Sequence, residues 1–74
     1  MCEIKVYKTD VQTHTIARYL TQSIYQEFPH SDVSFDLEDC DNVLRIESLN
    51  GKVNEKRLRK IFENNGYHLE SLLI

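Results

Sequence analysis

Between Val33 and Ser48 the chain reads VSFDLEDCDNVLRIES, alternating apolar and polar residues twice around a central turn. Val33, Phe35 and Leu37 mark the first arm. Val43, with Leu44 beside it, and Ile46 mark the second. A period of two puts one face of each arm in a core and leaves the other outside. The intervening Glu38-Asp39-Cys40-Asp41-Asn42 is rich in residues that tolerate tight backbone geometry. The segment therefore predicts an acidic two-stranded hairpin, and the flanking segments are read against it.

Upstream, Glu3 to Lys8 (EIKVYK) alternates as a strand, and Ile4 and Val6 are expected to face the core. Thr9-Asp10-Val11-Gln12 has the form of a capping box, which predicts a helix from Asp10 to Glu27. Its apolar stripe is Ile16, Leu20, Ile24 and Phe28, with Ala17 and Tyr25 at the margin. Pro29 ends it, because the residue before a proline is pushed out of helical geometry. Downstream, Val53 and Leu58 bracket an Asn54 N-cap with the spacing of a hydrophobic staple. The second helix turns Leu58, Ile61 and Phe62 inward and stops at Asn65-Gly66, where glycine supplies a left-handed residue. Tyr67 to Ile74 (YHLESLLI) completes the order as a short edge strand.

The order β-α-β-β-α-β, with right-handed crossovers and neighbouring strands paired, predicts a single α+β domain over residues 1–74. It is a ferredoxin-like sandwich: a four-stranded antiparallel sheet in the order 4-1-3-2, covered on one face by two helices. In that topology the Thr9–Thr13 loop, the turn at Cys40 and the Asn65–Tyr67 loop share one end. Cys2 falls at the other end, roughly 20 Å away across a six-residue strand, so the two cysteines do not pair.

No apolar run reaches the ~20 residues of a membrane span, and MCEIKVYK lacks a signal-peptide core, so the expected location is cytoplasmic, with free thiols and no membrane partner. The net charge of −3 opposes a nucleic-acid role, since phosphate recognition needs a basic surface. Charge is segregated along the chain. Asp36, Glu38, Asp39 and Asp41 crowd the hairpin, whereas Lys52, Lys56, Arg57, Arg59 and Lys60 load the second helix and its approach.

VLRIESLNGKVNEKRLRKIFENNGYHLESL, with a V-x-I-x strand, a helix ending in Gly66-Tyr67 and a short last strand, resembles the heavy-metal-associated domain of copper chaperones and copper-pumping ATPases. FPHSDVSFDLED is similar to the segment that leads into that family's second strand. The resemblance implies the same fold. The family grips a soft ion with two thiolates in an M-x-C-x-x-C loop after the first strand. Here that loop reads YKTDVQTHTIA and has no cysteine, so no ligand of that motif transfers.

Two functions are carried forward. The first is a non-catalytic binding module, with no cofactor, whose partner is another protein. By position in the family its docking surface comprises Thr9, His14, Asp39, Asp41, Lys56, Arg57, Lys60 and Tyr67. The alternative is a metal-binding or transport protein with a site built from His14, Cys40 and Asp10, a donor set that suits zinc but has no recognised spacing.

Homodimerisation is a further route, through an open sheet face expected to carry Tyr7, Ser34 and Arg45 or through the last strand. Other readings of the topology fare worse. The acylphosphatase loop, Gly-x-Val-Gln-Gly-Val-x-Phe-Arg, shares only Val11-Gln12 and lacks its anion-wrapping glycines. An RNA-recognition surface needs aromatics on the central strands, and DNVLRIES has none. Ligand-sensing domains of the ACT type place a glycine in the first strand–helix loop, and none stands there.

Overall fold

A computed structural model describes residues 3–38 and 40–72. Cys2, Asp39, Leu73 and Ile74 lie outside the described residues, and so do the readings that fall on them. The elements are β1 (Glu3–Thr9), α1 (His14–Glu27), β2 (Ser31–Asp36), β3 (Val43–Ser48), α2 (Glu55–Asn64) and β4 (Leu69–Ser71). The four strands form one antiparallel sheet in the order β2-β3-β1-β4, with the helices packed on one face. This is the ferredoxin-like α+β arrangement. Among the described residues no helix is long and apolar enough to cross a membrane.

The hairpin forms as its period of two demands. Val33 pairs with Ile46 and Phe35 with Leu44, and all four turn toward the helices. Leu37 lies just beyond β2 but still packs against the core. The turn begins where the Asp36 carboxylate accepts the Glu38 N–H at 3.2 Å. It closes at Asn42, a non-glycine residue with φ 49°, a conformation that asparagine tolerates better than most side chains.

The central strand differs from expectation. Tyr7 is fully buried opposite Leu44, and Lys5 lies opposite Ile46, so the odd-numbered residues of β1 face the helices. Ile4 and Val6 face the open side, and Ile4 is 49% exposed. The reason lies in the partner strand. Leu44 and Ile46 must both point inward, and antiparallel partners share a face, so they carry Tyr7 in with them. The aromatic ring also removes more apolar surface from water than Ile4 would. Tyr7 is therefore absent from the open face, which carries Ser34 and Arg45 beside Ile4, Val6, Lys8, Val43, Asp32, Asp36, Glu47 and Glu70.

The first helix starts later than the capping box predicts. Its N-cap is Thr13, whose hydroxyl accepts the Ile16 N–H at 3.3 Å. Thr9 is unavailable as a cap because its hydroxyl donates to the Asn42 C=O at 2.7 Å and accepts the Val11 N–H at 3.2 Å. Val11 is then drawn into the core at 0% exposure, and the chain stays non-helical up to Thr13. Beyond Glu27, Phe28 leaves helical geometry (φ −128°, ψ 73°) ahead of Pro29.

The second helix has the predicted ends. Asn54 caps it by accepting the Arg57 N–H at 3.2 Å. At its close, the Gly66 N–H donates to the Glu63 C=O at 3.0 Å and the Tyr67 N–H to the Phe62 C=O at 2.9 Å, with Gly66 at φ +79°. That pair of bonds is a Schellman motif. Among the described residues the last strand is Leu69–Ser71, so it starts two residues after Tyr67.

The face assignment is open to a direct test. Tyr7→Ala should destabilise the fold by about 3–5 kcal/mol, whereas Ile4→Ser should stay within about 0.5 kcal/mol, both read by urea unfolding. Equal costs would return Ile4 to the core. Gly66→Ala meets no atom within 4 Å of the added carbon, so its cost, about 1–2 kcal/mol, should come from the left-handed backbone alone.

Candidate functional site

The end of the sandwich at which the residue 10–13 loop, the hairpin turn and the residue 65–68 loop converge is the counterpart of the metal-loop end suggested by the sequence. The structure ties these three segments to one another. The Thr9 N–H is shared between the carbonyls of Asp41 and Asn42, at 3.3 and 3.2 Å. With the Thr9 hydroxyl bond, this joins the end of β1 to the turn. The Asp10 carboxylate accepts the His68 N–H at 2.8 Å, which joins the first loop to the last. Lys8 adds an ion pair to Asp41 at 3.7 Å, at a half-exposed position where such pairs contribute little.

Each expected site residue can now be placed. Thr9 is buried at 6% exposure, and its hydroxyl ties the end of β1 to the hairpin turn. His14 opens α1 as an exposed residue, Cys40 is an exposed free thiol in the turn, and Tyr67 is half-buried after the Gly66 cap. Asp10 is exposed but holds the His68 amide. Asp39 lies outside the described residues. Among the described residues no three of His, Cys, Asp and Glu come together with the spacing a metal ion requires.

Lys56 and Arg57 are not part of this end. Lys56 and Arg57 sit in the first turn of α2, next to the segment where the Val53 N–H donates to the Glu3 carboxylate at 2.8 Å. Glu3 begins β1, whereas the loops above lie at its finish. Arg57 bonds and ion-pairs with Glu27, in the last turn of α1, and Arg59 is held by Glu55 at 3.3 Å and by the Leu69 C=O. Arg57 and Lys60 line a shallow crevice of about 170 Å³ between the helices, together with Glu27, Ile61 and Asn64. Lys56 and Arg57 are thus separated from the loop end by much of the ~15 Å length of α2, whereas Lys60 lies midway along it.

A second crevice, of about 180 Å³, opens where α1 gives way to β2. Phe28, Pro29 and Ile46 line it on the apolar side, and Glu27, His30 and Lys52 on the polar side. Both crevices are smaller than the few hundred cubic ångströms usual for small-molecule sites.

One buried group was misplaced by the sequence reading. The Tyr7 hydroxyl is enclosed and has no hydrogen-bond partner among the described residues. Burial pushes its pKa up to about 12 from 10.0, the Glu55 carboxylate adds to the shift, Arg59 opposes it, and Glu3 raises it further. Tyr7, the one aromatic in EIKVYKT, was the available signal, because burying its ring removes the most apolar surface from water.

No family model, curated protein or solved structure matches this chain. The fold and the geometry of its ends carry the functional argument.

Because the folded state holds the Tyr7 proton up to about pH 12 and the unfolded chain releases it near 10, its contribution is intact below pH 10. It is lost as pH rises to 12, at a cost of about 2–3 kcal/mol. Tyr7→Phe should remove that alkaline loss. At pH 7 it should be neutral or stabilising by about 1 kcal/mol, since the hydroxyl it deletes is unsatisfied. Denaturant unfolding of both proteins between pH 7 and 12 checks this, and parallel curves would mean the hydroxyl is solvated.

Proposed function

We propose that this protein is a small non-catalytic interaction module whose partner is another protein, and that it resembles a heavy-metal-associated domain without the metal loop. One observation carries the reading. The first strand–helix loop, which in that family cradles the ion, is here closed by its own structural bonds. Thr9 anchors it to the hairpin turn, Asp10 anchors it to the last loop, and Val11 plugs it into the core. A loop secured in this way forms a rigid, polar end. It presents His14, Cys40, Asp41 and Tyr67 in a fixed relation, the preorganisation that favours docking.

The split between this end and the basic helix shapes the proposal. The loop end is the primary surface, by position in the fold. Lys56, Arg57 and Lys60 form a separate cationic region that steers an acidic partner rather than completing the same patch. The alternative, metal binding through His14, Cys40 and Asp10, would require the three segments to rearrange, since no three such donors are grouped among the described residues.

Amide NMR spectra of the reduced protein, titrated with Cu(I) and then Zn(II), separate the two readings. The expected result is no saturable one-to-one shift at residues 10–14, 40–42 and 65–68. A stoichiometric set confined to those residues would install the metal reading instead. In affinity capture, Asp41→Lys with Tyr67→Ala should abolish recovery of the principal partner. Reversing Lys56, Arg57 and Lys60 to Glu should weaken it several-fold without changing its identity. An unchanged captured set in both variants would overturn the proposal.

A further inference from the structure

The open face of the sheet carries an apolar cluster inside an acidic frame. Antiparallel register places the outward residues in three rows: Asp32, Glu47 and Ile4; then Ser34, Arg45 and Val6; then Asp36, Val43, Lys8 and Glu70. Leu72, whose N–H donates to the Val6 C=O at 3.0 Å, continues the middle row. Ile4, Val6, Val43 and Leu72 are thus neighbours around the central strand. The face carries four carboxylates (Asp32, Asp36, Glu47 and Glu70) against two cations (Lys8 and Arg45). Ile4 is about half exposed and is paired with Glu47 of β3.

From this arrangement we infer that the open sheet face docks a basic amphipathic helix. The inference rests on the interaction-module reading and adds a second surface with a defined partner chemistry. The dimensions fit. Successive outward residues on a strand are ~6.6 Å apart, so the cluster from Ile4 past Val6 to the Val43 row spans ~13 Å. Two turns of helix present apolar residues over ~11 Å at positions i, i+4 and i+7. Lysines or arginines beside that stripe then meet Asp32 and Glu47 on one flank and Glu70 on the other.

Competing occupants meet the wrong charge. Nucleic acid and anionic lipid surfaces are repelled by the carboxylates. A second copy stacked face to face with aligned strands places Asp36 against Glu70 when the twofold axis runs along the strands. It places Asp32 against Asp36 when the axis runs across them. The chain's own helices offer no spare apolar stripe, because Leu20, Ile24, Leu58 and Phe62 are consumed in the core.

The test uses the full chain and a two-heptad peptide of leucine and lysine, with leucines at helical spacing, and a glutamate-for-lysine version as control. The expected result is saturable amide shifts at Ile4, Val6, Val43, Arg45 and Glu47 with the lysine peptide alone. Affinity should fall roughly tenfold or more in Asp32→Lys with Glu47→Lys, and likewise in Ile4→Asp, all on the open face away from the core. Equal binding of the two peptides, or no binding, overturns the inference. Self-association abolished by Ile4→Asp overturns it in favour of a second copy. Shifts confined to residues 10–14, 40–42 and 65–68 also overturn it, yet leave the interaction module standing; that reading falls only on the capture experiment with the loop-end variants.

Discussion

Tyr7 opposite Leu44, in the middle of the sheet, determines which way the central side chains point. Once that pair faces the helices, Lys5 follows beside Ile46 and Thr9 beside Leu69, and every even residue of β1 is turned outward. Two consequences follow from one register. Inside, the Tyr7 ring joins Leu20, Ile24, Leu58 and Phe62 in a core that leaves its hydroxyl without a partner among the described residues. Outside, Ile4 and Val6 are left on a surface that the fold itself does not cover. A slip of one residue would exchange the two sets, hiding Ile4 and Val6 and exposing Tyr7. Thr9 opposes that slip, because its hydroxyl and N–H both reach the end of the hairpin turn only in this register.

Much of the architecture was legible because the strongest local signals agree with the fold. The alternation in VSFDLEDCDNVLRIES, the Asn54 cap, the Phe28-Pro29 stop and the Asn65-Gly66 terminus each depend on a few neighbouring residues, and each survives in the structure. The misreadings depend on distant residues. The period of β1 was clear but its phase was not, since EIKVYKT offers two apolar residues on one side and one aromatic on the other. Only pairing with β3 resolves it. The Thr9 capping box was likewise sound locally and was overridden by a bond to Asn42, 33 residues away.

The candidate site was legible to a lesser degree for a related reason. Topology alone brought the three loops to one end, and the hydrogen bonds made by Thr9 and Asp10, with the Lys8–Asp41 ion pair, bear that out. What a position along the chain could not reveal is which end of a helix a charge occupies relative to those loops. Lys56 and Arg57 belong to the start of α2, and the Schellman turn that delivers Tyr67 to the loop end belongs to its finish.

The β2 edge of the sheet shows why the open face is a better surface for a partner than strand addition at β2. β2 is an edge strand, and the Tyr25 hydroxyl from α1 accepts the Val33 N–H at 3.2 Å, occupying the middle of that edge. Asp32 and Asp36 flank Val33 along the same strand, and charge at such positions discourages pairing with another chain. An incoming strand would have to displace the tyrosine and approach two carboxylates for few new backbone bonds. On the open face Ile4 is half exposed among the described residues, and the same carboxylates, set beside an apolar cluster, suit a cationic partner. The residues that protect the edge therefore define the chemistry of the face.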